Sequence, residues 1–347
     1  MKSHRTITLR QSIATAIASA LACLLTQVPA FAQNAYITNQ GVYPNFSNKV
    51  TVIDTTTNKV VTTIEVGLAP SGVAVAPDGS KVYVANEAVK GTVSVIDTAT
   101  NAVVATIEVG SNPTGVAVKP DGSKVYVANK GRHSTVSVID TATNTVSATI
   151  DVGLSPMGVA IAPDGRKVYV VNETIDGSVS IIDTATNAVS GTVTVGRHPT
   201  GIAVKPDGSK VYVANRGNGS VSVLDATNKI VATVAVGLAP SGVAITPDGR
   251  TVYVTNLNNT VSVIDTATNA VSATIPVGNG PVGVAFTPDG SKAFIANEID
   301  DTVSVIATAS NAVVATINVG TAPIAFGVFI LPGLSQPPKA YSSKPQR

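Results

Sequence analysis

Two dipeptides carry the side chains best suited to acid–base or anion-binding chemistry. Arg132-His133 and Arg197-His198 each place an imidazole beside a guanidinium, and Arg216 adds a third guanidinium. An imidazole titrates near neutral pH, so either histidine could act as a general base or bind a metal. Guanidinium groups hold anionic parts of a substrate through paired hydrogen bonds. If the protein is an enzyme, these residues are its predicted site; the alternative is that both histidines are ordinary surface residues.

Two aromatic residues form a second candidate group. Tyr43 and Phe46 lie in residues 40–48, in a chain with 4% aromatic residues and no tryptophan. Aromatic rings on a polar loop can stack on a sugar or anchor a peptide; the alternative is that they pack against the fold. The complete predicted ligand-binding set is Tyr43, Phe46, Arg132, His133, Arg197, His198 and Arg216.

The aspartates of the chain have the spacing of turns and not of metal ligands. They recur in Pro-Asp-Gly and Asp-Thr segments, where a carboxylate accepts hydrogen bonds from nearby backbone N–H groups. No trio has calcium-loop spacing, and two histidines without a carboxylate at ligand spacing are not a metal signature. The sequence also lacks a Ser-His-Asp order, a nucleophile elbow, a phosphate-binding glycine loop and a cysteine pair. We therefore expect no metal and no cofactor.

One segment is repeated seven times along the chain. The glycine of its closing Val-Gly pair falls at Gly67, Gly110, Gly153, Gly196, Gly237, Gly278 and Gly320, at spacings of 43, 43, 43, 41, 41 and 42 residues. Each full copy contains four short runs rich in β-branched residues, which favour strands. A period in the low forties with four strands per copy is typical of β-propeller blades.

The two ends of the repeat array predict how the propeller closes. The array begins at residues 36–39, which match the second strand of a blade, and continues with strands near residues 50–54 and 60–66. One leftover strand near residues 325–330 matches the first strand. We predict an all-β, seven-bladed β-propeller of four-stranded antiparallel blades over residues 33–333, closed by pairing of the N- and C-terminal segments in one blade. Such pairing removes exposed sheet edges.

Each copy contains one tetrapeptide of the same pattern. It reads Tyr253-Val254-Thr255-Asn256 in one copy, and related tetrapeptides begin at Tyr36, Tyr83, Tyr126, Tyr169, Tyr212 and Phe294. This motif resembles that of the YVTN-repeat β-propeller family. The resemblance covers residues 35–331 and implies the seven-bladed fold. It implies no single activity, because that family includes surface-layer and periplasmic proteins, and seven-bladed propellers include lactonases, lyases and binding scaffolds.

Antiparallel pairing divides the connections of each blade between two faces. One face carries the Pro-Asp-Gly and Asp-Thr turns, whose Asp series only Ala307 interrupts. The other face carries loops that differ between copies, including every candidate above and an acidic arc of Glu87, Glu173, Asp176, Glu298, Asp300 and Asp301. Repeats that agree in structure and differ on one face predict ligand binding there; the alternative is drift in tolerant loops. The asparagine that ends each second strand is predicted to have a structural role.

The N-terminus has the pattern of a secretory signal. Positive charges precede an apolar run, and Ala30-Phe31-Ala32 fits a cleavage site, so residues 1–32 are the predicted signal. A membrane anchor and lipid attachment at Cys23 are the alternatives. Removal of Lys2, Arg5 and Arg10 leaves 20 basic residues against 21 acidic ones and no cysteine. We predict an exported protein, periplasmic or at the cell surface, with a disordered tail at residues 334–347.

The sequence favours binding over catalysis. The leading prediction is a non-enzymatic binding or scaffold protein, a monomer with no transmembrane segment in the mature chain, that recognises a protein, a glycan or an envelope component through the variable face. The alternative is a hydrolase or lyase of the propeller lactonase type, in which His133 or His198 is the base and Arg132, Arg197 or Arg216 holds a small anionic substrate. Nucleic acid is not expected as a partner, because the mature net charge is near zero and aromatic residues are scarce.

Overall fold

The computed structural model describes residues 33–331, and this part of the chain contains strands and no helix. The predicted signal and the predicted tail lie outside the described residues. The strands form seven antiparallel sheets, of which six have four strands and one has three. The innermost strands of successive sheets contact each other around the ring. The prediction of an all-β, seven-bladed propeller is confirmed. Among the described residues, no helix is long and apolar enough to cross a membrane.

Six blades are complete four-stranded sheets in chain order. Their strands are, for blade 1, β4 (Pro70–Val75), β5 (Lys81–Asn86), β6 (Thr92–Asp97) and β7 (Ala102–Glu108); for blade 2, β8 (Pro113–Val118), β9 (Lys124–Asn129), β10 (Thr135–Asp140) and β11 (Thr145–Asp151); for blade 3, β12 (Pro156–Ile161), β13 (Lys167–Asn172), β14 (Ser178–Asp183) and β15 (Ala188–Thr194). They continue, for blade 4, with β16 (Pro199–Val204), β17 (Lys210–Asn215), β18 (Ser220–Asp225) and β19 (Ile230–Ala235); for blade 5, with β20 (Pro240–Ile245), β21 (Thr251–Asn256), β22 (Thr260–Asp265) and β23 (Ala270–Pro276); for blade 6, with β24 (Pro281–Phe286), β25 (Lys292–Asn297), β26 (Thr302–Ala307) and β27 (Ala312–Asn318).

Blade 7 joins the two ends of the described chain. Its outer three strands are β1 (Asn34–Val42), β2 (Asn45–Asp54) and β3 (Lys59–Glu65). Residues 321–331 take the innermost place through isolated bridges, with Ala35 opposite Ile330 and Asn39 opposite Pro323. The same segment also bonds blade 1, where the Val73 N–H donates to the Phe326 carbonyl at 2.8 Å. The predicted closure is confirmed, and the closing segment bonds two blades at once.

The predicted loop of residues 40–48, which carries Tyr43 and Phe46, is a hairpin. Residues 40–48 continue β1 to Val42 and begin β2 at Asn45, with Gly41 paired to Phe46 and an irregular register after Asn39. Gly41 lies in the left-handed region at φ 74°, and an added Cβ would lie 2.3 Å from the Ser47 nitrogen. The flexible glycine therefore lets the strands extend past the blade.

The tyrosine of the repeated motif connects five of the seven blades to the next. The Tyr36 hydroxyl donates to Asn101 Oδ1 in blade 1 at 2.9 Å, and the same contact joins Tyr126 to Asn187, Tyr169 to Asn228, Tyr212 to Asn269 and Tyr253 to Asn311. The accepting asparagines have positive φ in the Asp-Thr turns, a conformation that asparagine tolerates. Burial raises the pKa of Tyr36, Tyr126, Tyr212 and Tyr253 to about 12, so these hydroxyls stay protonated donors.

The asparagine of the motif secures the strand end, as the sequence predicts. In blade 1 the Asn86 amide donates to Thr92 Oγ1 at 2.9 Å and to Ser94 Oγ at 3.0 Å, both on the third strand. It packs so closely against the preceding Val-Gly pair that a Cβ added to Gly67 would lie 2.5 Å from Asn86 Cγ. These contacts explain why the asparagine, the third-strand hydroxyls and the glycine recur together.

Candidate active site

Seven residues on the variable face occupy equivalent positions, one in each blade. Each directly follows the motif asparagine, which in six blades ends the second strand. Its N–H donates to the carbonyl of the residue that directly precedes the innermost segment of the same blade. We call this set the mouth ring. Its members, from blade 7 through blade 6, are Gln40, Glu87, Lys130, Glu173, Arg216, Leu257 and Glu298.

One half of the mouth ring is joined by contacts between neighbouring blades. Lys130 Nζ lies 2.7 Å from Glu173 Oε2, and Gln40 Nε2 donates to Glu87 Oε2 at 2.8 Å. Burial raises the pKa of the Glu87 carboxyl, and the charge of Lys130 and the Gln40 hydrogen bond partly offset that effect. This half of the ring is therefore held by its own side chains.

The other half of the mouth ring leaves a carboxyl and a guanidinium without a direct partner. Glu298 is half-buried, and burial raises the pKa of its carboxyl, while the positive charge of Arg216 partly lowers it. Neither side chain makes an ion pair within the described residues. Leu257, the one apolar member of the ring, separates them along the ring. A desolvated carboxylate with a raised pKa is a competent general base, and a free guanidinium can stabilise a developing negative charge.

The structure brings three of the predicted site residues together in blade 4. The Arg216 N–H donates to the His198 carbonyl at 3.1 Å, and the Gly217 N–H donates to the Arg197 carbonyl at 2.9 Å. His198 is half-buried with φ 47°, whereas Arg197 and Arg216 are exposed. Arg197, His198 and Arg216 therefore form one cluster beside the free half of the mouth ring.

The remaining predicted residues lie apart from that cluster. Arg132 and His133 are exposed in the loop between β9 and β10 of blade 2, two blades away from blade 4. Tyr43 is 80% exposed and Phe46 is 42% exposed at the tip of the blade 7 hairpin, where their rings meet edge to face at 6.0 Å between centroids. The two histidines are therefore not partners in one site.

The opposite face carries turn carboxylates that act locally. Asp140 Oδ1 accepts from the N–H groups of Ala142 and Thr143 at 3.1 Å, and these hydrogen bonds lower the pKa of the carboxyl. Within residues 33–331 no group of three histidine, cysteine, aspartate or glutamate side chains could hold a metal ion. The interpretation of these aspartates as turn residues agrees with their contacts.

Sequence reasoning did not single out Gln40 or Lys130, and it placed Glu298 only within a general acidic arc. The available signal was the position after the motif asparagine, which is charged or polar in six of the seven copies. That position was treated as the first residue of a variable loop. Only the closed ring shows that these seven positions are equivalent places in neighbouring blades.

A family comparison decides how this face is interpreted. Residues 136–323, more than half of the chain, match the family model described as lactonase, 7-bladed β-propeller. The chain belongs to this family. The prediction of a non-enzymatic binding scaffold is therefore wrong, and the alternative of a lactonase-type hydrolase is the better supported of the two. The scaffold prediction relied in part on the lack of a familiar catalytic motif, which is weak evidence when candidate residues are spread over separate repeats.

Solved structures with the same fold extend over nearly the whole described region. Hydrazine synthase from Kuenenia stuttgartiensis is 27% identical, with a TM-score of 0.71, over 79% of this chain and 92% of that one. A Desulfotomaculum acetoxidans protein of unknown function is 21% identical, with a TM-score of 0.70, over 85% and 99% of the two chains. A candidate 6-phosphogluconolactonase from Bacteroides fragilis is 18% identical, with a TM-score of 0.70, over 86% and 98%. These last two likenesses show the fold alone. A search of curated proteins returns no match.

Proposed function

We propose that this protein hydrolyses a lactone that carries an anionic group, at the free half of the mouth ring. The observation that carries the proposal is Glu298, a half-buried carboxyl with a raised pKa that feels the positive charge of Arg216 in a lactonase-family propeller. A glutamate of this kind accepts a proton more readily than an exposed one at neutral pH. In this proposal Glu298 takes the role of general base that the sequence analysis gave to His133 or His198.

The proposed reaction uses water and no bound cofactor. The Glu298 carboxylate takes a proton from water, whose oxygen forms a bond to the lactone carbonyl carbon. The carbonyl electron pair moves to its oxygen, and the Arg216 guanidinium stabilises this oxyanion. Collapse reforms the carbonyl and breaks the ring C–O bond, and the departing alkoxide takes the proton from Glu298. The product is the open hydroxy acid.

The anionic group of the substrate is assigned to Arg197. Arg197 is exposed. It lies next to Arg216, because the Gly217 N–H donates to the Arg197 carbonyl at 2.9 Å. Guanidinium groups bind phosphate and carboxylate through two parallel hydrogen bonds. We therefore expect a preference for a lactone with a phosphate or carboxylate over the neutral lactone of the same ring size.

The test compares δ-gluconolactone with its 6-phosphate in a proton-release assay at constant pH. We expect faster hydrolysis of the phosphorylated lactone, and Glu298→Gln should lower kcat about 100-fold or more, the usual loss when a general base is removed. Arg216→Gln should also lower kcat, and Arg197→Gln should mainly raise KM. Arg132→Gln, the same change on an exposed blade 2 loop, is the matched control and should leave both constants unchanged.

Two results would contradict this function. Hydrolysis of both lactones no faster than without the protein would reject the substrate class, and full activity in Glu298→Gln would reject the proposed base. Hydrolysis of other lactones would then be measured with the same assay, with Arg132→Gln again as the reference.

We also propose that the enzyme acts outside the cytoplasm, as a propeller of the YVTN-repeat type. The proposal is supported by the signal-like pattern of residues 1–32 and by the motif at Tyr253-Val254-Thr255-Asn256. Recovery of the protein from the envelope or medium, with Gln33 as its first residue, is the expected outcome. Recovery of the uncleaved chain from the cytoplasm would contradict it.

A further inference from the structure

Asn218 and Gly219 end the turn between the second and third strands of blade 4. The turn follows Asn215, the last residue of β17, and Ser220 begins β18. Asn218 is exposed, and Gly219 lies in the left-handed region at φ 60°. Asparagine is a chemically labile residue. An asparagine followed by glycine is the least hindered setting for attack of a backbone nitrogen on a side-chain amide, because glycine has no Cβ.

The backbone nitrogen of Gly219 is outside the hydrogen-bond network of the backbone. Within residues 33–331 its N–H donates to no backbone carbonyl, whereas the Gly219 carbonyl accepts from the Val236 N–H at 2.9 Å. The Asn218 N–H differs, because it closes the turn on the Asn215 carbonyl at 3.1 Å. A nitrogen without such a hydrogen bond needs no local opening before it reacts. Gly219 therefore offers an available nucleophile.

The side-chain amide of Asn218 is polarised by a neighbouring loop. Its Oδ1 accepts a hydrogen bond from the Arg197 backbone N–H. Gly217 of the same turn donates to the Arg197 carbonyl at 2.9 Å, so the turn bonds both backbone groups of Arg197. Attack on the amide carbon places negative charge on this oxygen, and a donor that is already in place stabilises that charge.

The other Asn-Gly pair of the chain has a different arrangement. Asn279 is exposed, but Gly280 is buried and its N–H donates to Asn259 Oδ1 at 3.2 Å. The Asn279 amide nitrogen donates to Asp300 Oδ1 at 2.7 Å. The nucleophile of this pair is therefore engaged, and a carboxylate holds its amide. The two pairs share a sequence and differ in structure, so one serves as the control for the other.

We propose that Asn218 is a site of spontaneous deamidation. The Gly219 nitrogen loses its proton to solvent and forms a bond to Asn218 Cγ. The bond between Cγ and the amide nitrogen breaks, and that nitrogen takes up a proton and leaves as ammonia. The resulting succinimide adds one water molecule, which opens the ring at either carbonyl and gives aspartate or isoaspartate. Both products carry a carboxylate in place of a neutral amide, and isoaspartate also carries the backbone through Cγ.

The new carboxylate lies beside the guanidinium-bearing residues Arg197 and Arg216. Its effect on activity rests on the proposed lactonase function, whereas the deamidation itself does not. A negative charge at this place should repel an anionic substrate and compete for the guanidinium assigned to the phosphate. Asn218→Asp reproduces one product and should raise KM for the 6-phosphate of δ-gluconolactone several-fold, with little change for the neutral lactone. Equal effects on both lactones would overturn this consequence.

The test incubates the folded full chain in mildly alkaline buffer and follows both Asn-Gly pairs by peptide mapping with mass spectrometry. We expect Asn218 to react about tenfold faster than Asn279 or more, because reaction at Asn279 first requires opening of a buried hydrogen bond. The chain unfolded in guanidinium chloride should lose most of this difference. Equal rates in the folded chain would overturn the proposal. Fragmentation that separates isoaspartate from aspartate tests the route, and aspartate alone would overturn the succinimide.

Two matched variants locate the reaction. Asn218→Gln keeps an amide and should abolish the modification, because attack on its side chain would close a larger ring. Asn279→Gln makes the same change at the control pair and should leave the reaction at Asn218 unchanged. Deamidation of Asn218→Gln as fast as that of the unaltered chain would overturn the assignment. These measurements need no turnover, so failure of lactone hydrolysis would reject the proposed function and leave the deamidation result intact.

Discussion

Glu298 and Glu173 occupy the same position in different blades, yet their surroundings give them different roles. Glu173 is paired with Lys130 at 2.7 Å, which holds its carboxyl in one place. Glu298 has no such partner among the described residues, and burial is the largest influence on its pKa. Because desolvation favours the neutral acid, the Glu298 carboxylate accepts a proton more readily than a fully solvated one. A single ring position therefore supplies both a structural ion pair and the proposed base.

Removing the nearby positive charge should raise the pKa of Glu298 further. Arg216 lowers that pKa at present, so Arg216→Gln leaves burial unopposed. The catalytic form is the carboxylate, so the acid limb of kcat/KM should move to higher pH in the variant. A pH profile of lactone hydrolysis measures the shift, and a ¹³C titration of the Glu298 carboxyl measures it if turnover is too slow. Arg132→Gln should not move the limb, and a shift to lower pH would contradict the assignment.

The elements of this propeller are connected by a few repeated contacts between strand and turn. In five blades the tyrosine of the second strand bonds the turn asparagine of the next blade. The asparagine of the same strand bonds the third strand of its own blade. Phe294 lacks the hydroxyl, and in its place Lys292 Nζ reaches Asn58 Oδ1 at 3.1 Å between blades 6 and 7. In blade 4, Lys210 and Tyr212 both reach Asn269, so the two donors are compatible.

An exchange of tyrosine and phenylalanine should change stability in opposite directions. Tyr253→Phe should lower the free energy of unfolding by about 1 kcal/mol, because it removes the hydrogen bond to Asn311. Phe294→Tyr should raise it by a similar amount, because blade 4 shows that the added hydroxyl has an acceptor. Urea denaturation followed by circular dichroism measures both. A loss of stability in Phe294→Tyr would show that the position lacks room for the hydroxyl.

The whole molecule depends on closure of the ring in blade 7. Phe329 is fully buried in the closing segment, and its carbonyl accepts from the Tyr36 N–H at 2.8 Å. Its neighbour Val328 instead lines the apolar cavity at the centre of the ring. Phe329 therefore contributes buried packing to the closing segment, whereas its neighbour Val328 is exposed on the channel side.

Truncation of Phe329 should destabilise the entire propeller. Phe329→Ala should cost about 3–5 kcal/mol, the usual cost of removing a buried phenylalanine. Val328→Ala, at a position that is 64% exposed, should change stability by less than about 1 kcal/mol. Equilibrium unfolding in urea measures both variants. Equal effects would mean that the closing segment does not contribute to global stability.

Acid should unfold the propeller through its turn carboxylates. Hydrogen bonds lower the pKa of Asp140, Asp183, Asp225 and Asp265, and the Lys81 ammonium, together with Thr100, lowers the pKa of Asp97 to about 2. A lowered folded-state pKa contributes stability above the unfolded value of about 4, and that contribution is lost as pH falls toward 2. Melting temperatures measured from pH 6 to pH 2 should fall steeply below pH 4. A constant melting temperature down to pH 2.5 would contradict this prediction.

Much of the fold follows from local signals in the sequence. The blade number and the closure could be predicted from four signals: the period, the alternation of apolar residues, the Pro-Asp-Gly turns and the leftover strands at both ends. Each of these signals reflects short-range backbone preferences. The hairpin at residues 40–48 was missed, since Tyr43-Pro44 reads as a loop although the strands on either side extend past the blade. Of the candidate site, Arg197, His198 and Arg216 were among the predicted residues and lie together in blade 4, while Gln40 and Lys130 were not predicted.

The sequence by itself determined the repeat, the strand order and the face on which the copies differ. Tertiary structure decided which residues meet, because members of the mouth ring lie about one repeat apart in the chain and become neighbours only when the blades close. It also decided that Glu298 is desolvated while Glu173 is paired, and that apolar residues from six innermost strands and the closing segment enclose one cavity. Burial and charge proximity are properties of the assembled ring, and no single repeat contains them.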